Sequence, residues 1–285
     1  MTPHFTRFAA IDWSGAKGQR HPGIALALCD AGDAAPILIH SPVGTWSRSA
    51  ILDWLRDHAR EPLLVGFDFS FAPPLMERGA YLPGEKTPTH ARAFWAYVDA
   101  ACSDRDLGAA SFLETRRGRH FYLGAADGPK AGFLHFRRCE ARYNATGGHK
   151  PSTIYDAIGA AQVAKASFAG MRLLHHLGAT IPVWPFEGVP GHGALVVEIY
   201  TTIAARAAGM RKGLSKLRDA AALDAALARI GARPHAPLAR YTDHATDAIL
   251  AAAWLRANAG RAEFWHPPGL TPAIARSEGW TFGVV

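Results

Sequence analysis

Apolar residues come in short runs near the N-terminus and in helical stripes near the C-terminus, and this change of period predicts the order of elements. Phe8-Ala9-Ala10-Ile11 is a short apolar run that ends on Asp12 and meets the turn Trp13-Ser14-Gly15. Residues 23–28 form a second run, Ala31-Gly32-Asp33 a turn, and residues 36–40 a third run, so residues 7–41 are expected to be a three-strand meander. Ile51, Leu52, Leu55 and Ala59 then share one face of a helix over residues 47–60, which Glu61-Pro62 stops. Residues 63–67 are continuously apolar and end on Asp68, the pattern of a strand covered on both faces. Three strands, a helix and a buried strand, in that order, predict an α/β chain with a ribonuclease H-like mixed sheet: an antiparallel meander plus parallel strands, flanked by helices.

Residues 72–150 interrupt the order. Pro73-Pro74, Pro83-Gly84 and Gly147-Gly148 punctuate a stretch of weak periodicity that is rich in Arg and aromatic residues. It reads as an insertion over a site, within a single domain spanning residues 1–285. Arg beside aromatic side chains suits phosphate pairing and base stacking; the alternative is a surface subdomain whose arginines pair with its own carboxylates. Ser152 is a possible cap for a helix reaching His176, with Gln162, Lys165, Ala169 and Arg172 on one stripe. A further strand is expected over residues 194–200, a capping box at Ser215 to Asp219, and a strongly apolar helix over residues 242–257.

Composition narrows the class. The chain has 285 residues, 49% hydrophobic and 19% charged, enough for a sizeable core and against disorder. Its formal charge of +7 and pI near 9.5 are compatible with a polyanionic partner without requiring one. Three scattered cysteines with no Cys-x-x-Cys pair argue against a structural zinc site and fit a reducing, cytoplasmic setting. Met1-Thr2-Pro3-His4 carries no signal-peptide pattern, and no apolar run approaches a membrane span.

The candidate chemistry lies in carboxylates that emerge from apolar runs. Asp12, Asp68, Glu198 in Val196-Val197-Glu198-Ile199-Tyr200, and Asp243 and Asp247 in Asp243-His244-Ala245-Thr246-Asp247-Ala248 all sit where a lone carboxylate is costly. Asp12 and Asp68 could instead satisfy their own turns, Glu198 could pair with Arg206, and Asp243 could cap its helix. Asp247 lies beyond the capping positions, with His244 beside it at i, i+3. Two carboxylates about 4 Å apart repel by about 4 kcal/mol at an effective dielectric near 20, so a converging set calls for a cation. Mg²⁺ or Mn²⁺ suits all-oxygen ligation by Asp12, Asp68, Glu198, Asp243 and Asp247.

These motifs, in this order, resemble the uncharacterised family DUF 429, predicted nucleases of the ribonuclease H-like superfamily. The resemblance spans residues 8–254. Asp12 matches the superfamily's first-strand Asp, Asp68 its fourth-strand acidic position, and Glu198 the acidic residue of this family's fifth strand. His244 and Asp247 resemble the final helix of RuvC-type Holliday-junction resolvases, which carries an acidic or His residue three before an Asp. Residues and resemblance together imply a Mg²⁺- or Mn²⁺-dependent phosphodiesterase acting on nucleic acid. Asp12, Asp68, Glu198, His244 and Asp247 are then the catalytic residues, and Ser14, Ser70, Arg137, Arg138, Gln162 and Lys165 the substrate-binding ones. The alternatives are an ATP-dependent phosphotransferase of the actin-like superfamily, for which no second copy of the phosphate loop is seen, and a non-catalytic nucleic-acid-binding module.

Overall fold

The structure is a computed structural model that describes residues 4–148, 152–158, 163–210 and 216–285. Five strands form one mixed sheet in the order β3-β2-β1-β4-β5: β1 Arg7–Asp12, β2 Ala25–Asp30, β3 Ile37–Ile39, β4 Leu63–Phe67 and β5 Leu195–Glu198. β1 pairs antiparallel with β2 and parallel with β4, and β4 pairs parallel with β5. This is the ribonuclease H-like arrangement expected from the strand pattern.

The register fixes the site. Ile11 lies opposite Phe67, and Phe67 opposite Glu198. Asp12, Asp68 and Glu198 therefore leave the sheet at the same edge, at the carboxyl ends of its three parallel strands, where open α/β sheets place their ligands.

Both faces of the sheet are buried, which explains the continuous apolar runs. Ala9, Ile11, Val65, Phe67 and Val196 face one core, and Phe8, Ala10, Leu64 and Val197 the other, as strand alternation requires. The first core is covered by α1 (Arg48–Asp57), α2 (Ala91–Ala100), α3 (Ala110–Glu114) and α5 (Val163–Leu177). The second is covered by α8 (Asp243–Asn258), with α6 (Thr201–Ala207), α7 (Ala220–Arg229), α9 (Ala262–Trp265) and α10 (Pro272–Ser277) around it. Between these groups in sequence lies α4 (Arg138–Ala145). Gly66 admits α8 to the sheet, because a Cβ there would sit 2.8 Å from the Leu255 side chain and 2.7 Å from Ile199.

Several expectations need correction. Within residues 72–148, Phe94, Trp95, Val98, Phe112 and Phe121 are buried in the same core as β1 and β4. Ser152 does not open a helix; residues 152–158 are turn and bridge, with Tyr122 paired to Asp156, and the described part of α5 begins at Val163. Thr242, not Asp243, caps α8 through a bond from the Ala245 N–H. Ser215 of the expected capping box lies outside the described residues, and α7 is capped by Asp219. Among the described residues no helix is long and apolar enough to cross a membrane.

Candidate active site

The turn after β1 is built by close packing and by one buried arginine. Gly15 runs so near the first turn of α5 that a Cβ on it would lie 2.1 Å from the Lys165 carbonyl carbon. Trp13 donates its indole N–H to the Ala166 carbonyl at 3.1 Å. Arg48, fully buried, donates to the Ser14 carbonyl at 2.9 Å and the Ala16 carbonyl at 2.6 Å. Asp106 in turn accepts from the Arg48 and Ser49 N–H groups and meets the His21 ring at 2.9 Å. These bonds hold it ionised, down to about 2 despite its burial. The turn that carries Asp12 and Ser14 is thus clamped from below.

Asp12, Asp68, His244 and Asp247 line one cavity of about 460 Å³. The Asp12 Oδ2 lies 2.5 Å from His244 Nδ1. Burial raises Asp12 above the ordinary carboxylate range, with the His244 bond opposing it, and that same bond raises His244. The Thr201 hydroxyl donates to Asp68 Oδ2 at 2.8 Å, yet burial, with Asp12 close by, pushes Asp68 up to about 7. Asp247 is pushed up to about 8, by burial first and then by Asp12 and Asp68. No hydrogen bond from the described residues reaches its carboxylate. On the other side of His244, its Nε2 and the Ser14 Oγ lie 3.4 and 3.3 Å from the point a Cβ on Gly23 would occupy. The missing side chain leaves a small space between the imidazole and the hydroxyl.

Other expected residues have different roles. Glu198 faces the cavity but is saturated. Arg137 grips it through both terminal nitrogens, at 2.7 and 2.5 Å, and the Phe71 N–H and Thr281 hydroxyl complete it at 2.8 and 2.6 Å. An acid so satisfied by a buried arginine is not a free ligand, and Arg137, which also holds Glu140, is not a free phosphate grip. Glu198 pairs with Arg137, not with Arg206. Asp243 turns to Lys216 at 2.7 Å and Arg218 at 3.0 Å at the cavity rim. Arg138 is exposed and stands outside the cavity lining; its backbone N–H binds Glu278. Ser14 and Ser70 do line the cavity, Ser70 bonded through its N–H to the Ser167 hydroxyl. Lys165 is half-buried in the first turn of α5, and Gln162 lies outside the described residues. Arg172, from the same stripe as Lys165, is buried on Asp99 and the Asp104 carbonyl.

The arginines of residues 72–150 pair largely within the fold. Arg116 and Arg119 bind Glu85, Arg117 binds Asp127, and Tyr122 packs on Phe133. This is the alternative of internal pairing.

Among the described residues, no three His, Cys, Asp or Glu side chains are grouped tightly enough to hold a metal ion. The chemistry of the donor set nevertheless fits a hard divalent cation. Asp12, Asp68 and Asp247 offer only oxygen, and two of them are strained toward protonation by burial and mutual repulsion. Thr201, Arg48, Gly23, Tyr143 and Tyr200 also belong to the site and were not singled out from sequence. Tyr200 lies within the Glu198 motif, Thr201 next to it, and Tyr143 in the Arg- and aromatic-rich stretch; Arg48 and Gly23 carry no such signal. No family model matches the chain, and no curated protein or solved structure matches it.

Proposed function

We propose that this protein is a Mg²⁺- or Mn²⁺-dependent phosphodiester hydrolase acting on nucleic acid. The observation that carries the reading is the arrival of Asp12, Asp68 and Asp247 at one cavity, with Asp68 and Asp247 pushed up to about 7 and 8 and no cationic side chain bonded to Asp68 or Asp247 among the described residues. These three residues would hold the metal. When bound, such an ion offsets negative charge developing on phosphate oxygens and makes water more acidic.

The chain's own groups do the rest. Asp12 fixes the His244 ring through Nδ1, leaving Nε2 toward the space beside Gly23 and Ser14, where it can take or return a proton. Thr201 orients Asp68. Arg48 holds the turn so that Asp12 and Ser14 keep their places. The net positive charge favours a polyanionic substrate.

The test is hydrolysis of end-labelled oligonucleotides with Mn²⁺, with and without chelator. Wild type is expected to cleave only with metal, and Asp12→Asn and Asp247→Asn to fall to background while still folding. Cleavage that survives both substitutions would refute the assignment.

A further inference from the structure

Two tyrosines line the same cavity as the carboxylates. Tyr143, in α4, and Tyr200, which directly precedes α6, both line it, and both rings are only partly covered. They meet edge to face, with centroids 5.9 Å apart and planes at 82°. Arg206 steadies Tyr143, its guanidinium 6.0 Å from the ring centre and one nitrogen 3.5 Å from the hydroxyl. Trp13 and Phe69 also touch the cavity but are buried in the core. Tyr200 directly precedes Thr201, whose hydroxyl holds Asp68. An aromatic wall and an acidic end therefore adjoin, within a volume of about 460 Å³.

We infer that this cavity takes one unpaired nucleotide, its phosphate at the Asp12, Asp68 and Asp247 end and its base against Tyr200 and Tyr143. The inference rests on the phosphodiesterase reading and names its substrate class as single-stranded or frayed nucleic acid. A nucleotide carries its base one sugar away from its phosphate, so a phosphate at the acidic end leaves the base inside the same space. The volume lies in the range of cavities that enclose a single small ligand, roughly 300–1,000 Å³. Every base offers a π-face to a tyrosine ring, so stacking here is tolerant of sequence. A base within a duplex has neighbours on both faces and reaches such a pocket only by leaving the stack. Tyr122 and Phe133 stand outside the lining of this cavity, and Phe133 is buried.

Calorimetry on the intact chain with Mn²⁺ tests this, comparing thymidine 5′-monophosphate with deoxyribose 5-phosphate. The nucleotide is expected to bind about tenfold tighter or more, in line with the usual worth of one stacked base. Tyr200→Ala and Tyr143→Ala should each narrow that gap without changing affinity for the sugar phosphate, and Tyr200→Phe, which keeps the ring, should restore it. Equal affinity for the two ligands, or a gap untouched in both alanine variants, would overturn the inference. If an oligonucleotide is still cleaved with Mn²⁺ in that case, only the base subsite falls. If neither ligand binds and nothing is cleaved, the phosphodiesterase reading falls with it.

Discussion

His244 Nδ1 lies 2.5 Å from Asp12 Oδ2, so the first turn of α8 and the end of β1, 232 residues apart in sequence, are joined by one hydrogen bond. The bond places the exposed edge of the imidazole toward Ser14 and Gly23. His244→Ala is expected to lower Mn²⁺-dependent cleavage by about 10²–10⁴-fold, the usual worth of a positioned proton-transfer group. Half of the His244 side chain is exposed, so melting should move little above the pH at which His244 loses its charge. Steady-state rates beside a thermal melt check both.

The acidic end makes the metal-free fold sensitive to pH. Asp68 and Asp247 sit at about 7 and about 8, above the ordinary value near 3.9. A raised folded-state value means that the folded chain holds protons the unfolded chain has released. Stability from these two groups is thus greatest below about pH 4 and declines as pH rises through about 7 and 8. His244, raised by Asp12, acts in the same direction: its contribution is full below about pH 6.5 and is lost as pH rises through its folded-state value. Asp247→Asn should flatten the decline and raise the metal-free melting temperature near pH 8, by roughly 2–4 °C per kcal/mol relieved. Mn²⁺ affinity should run the other way, strengthening over the same window as the carboxylates ionise. A wild-type melting temperature that stays flat across it would contradict this account.

Glu198 offers a contrast. Its pair with Arg137 is buried, so Glu198→Ala should cost about 3–5 kcal/mol by removing one of the two carboxylates that hold the buried guanidinium, Glu140 being the other. Denaturant unfolding measures this. Glu198→Ala that is as stable as wild type but has lost Mn²⁺ binding would return Glu198 to the ligand set.

Much of the fold was legible because strands covered on both faces leave unbroken apolar runs, as in β4, and because a carboxylate ending such a run stands out. The site was legible to the extent that its residues sit next to these runs. The pairing of Glu198 with Arg137 is not legible in the sequence, because Arg137 lies 61 residues away in a stretch without periodicity. α2 was missed although Phe94, Trp95 and Val98 share a face, since Pro and Gly on either side disguised a ten-residue helix as loop. Arg48 reads as an ordinary residue in the first turn of α1; only the folded chain brings it under Ser14 and Ala16.

Two glycines separate packing from chemistry. Gly15→Ala pushes a methyl into the α5 backbone and is expected to destabilise by about 1–3 kcal/mol, with Asp12 displaced. Gly23→Ala meets Ser14 and His244 first, at 3.3 to 3.4 Å, and should fold normally while filling the space between them. Its cleavage rate should therefore drop with little change in melting temperature, and an unchanged rate would remove that space from the mechanism.

The most direct test of the central claim is a crystal of the protein soaked in Mn²⁺ and measured at a wavelength where manganese scatters anomalously. An anomalous peak is expected among the Asp12, Asp68 and Asp247 carboxylates, absent from the same soak of Asp12→Asn. A saturating soak that leaves those three carboxylates without a peak, His244 still on Asp12, would contradict it.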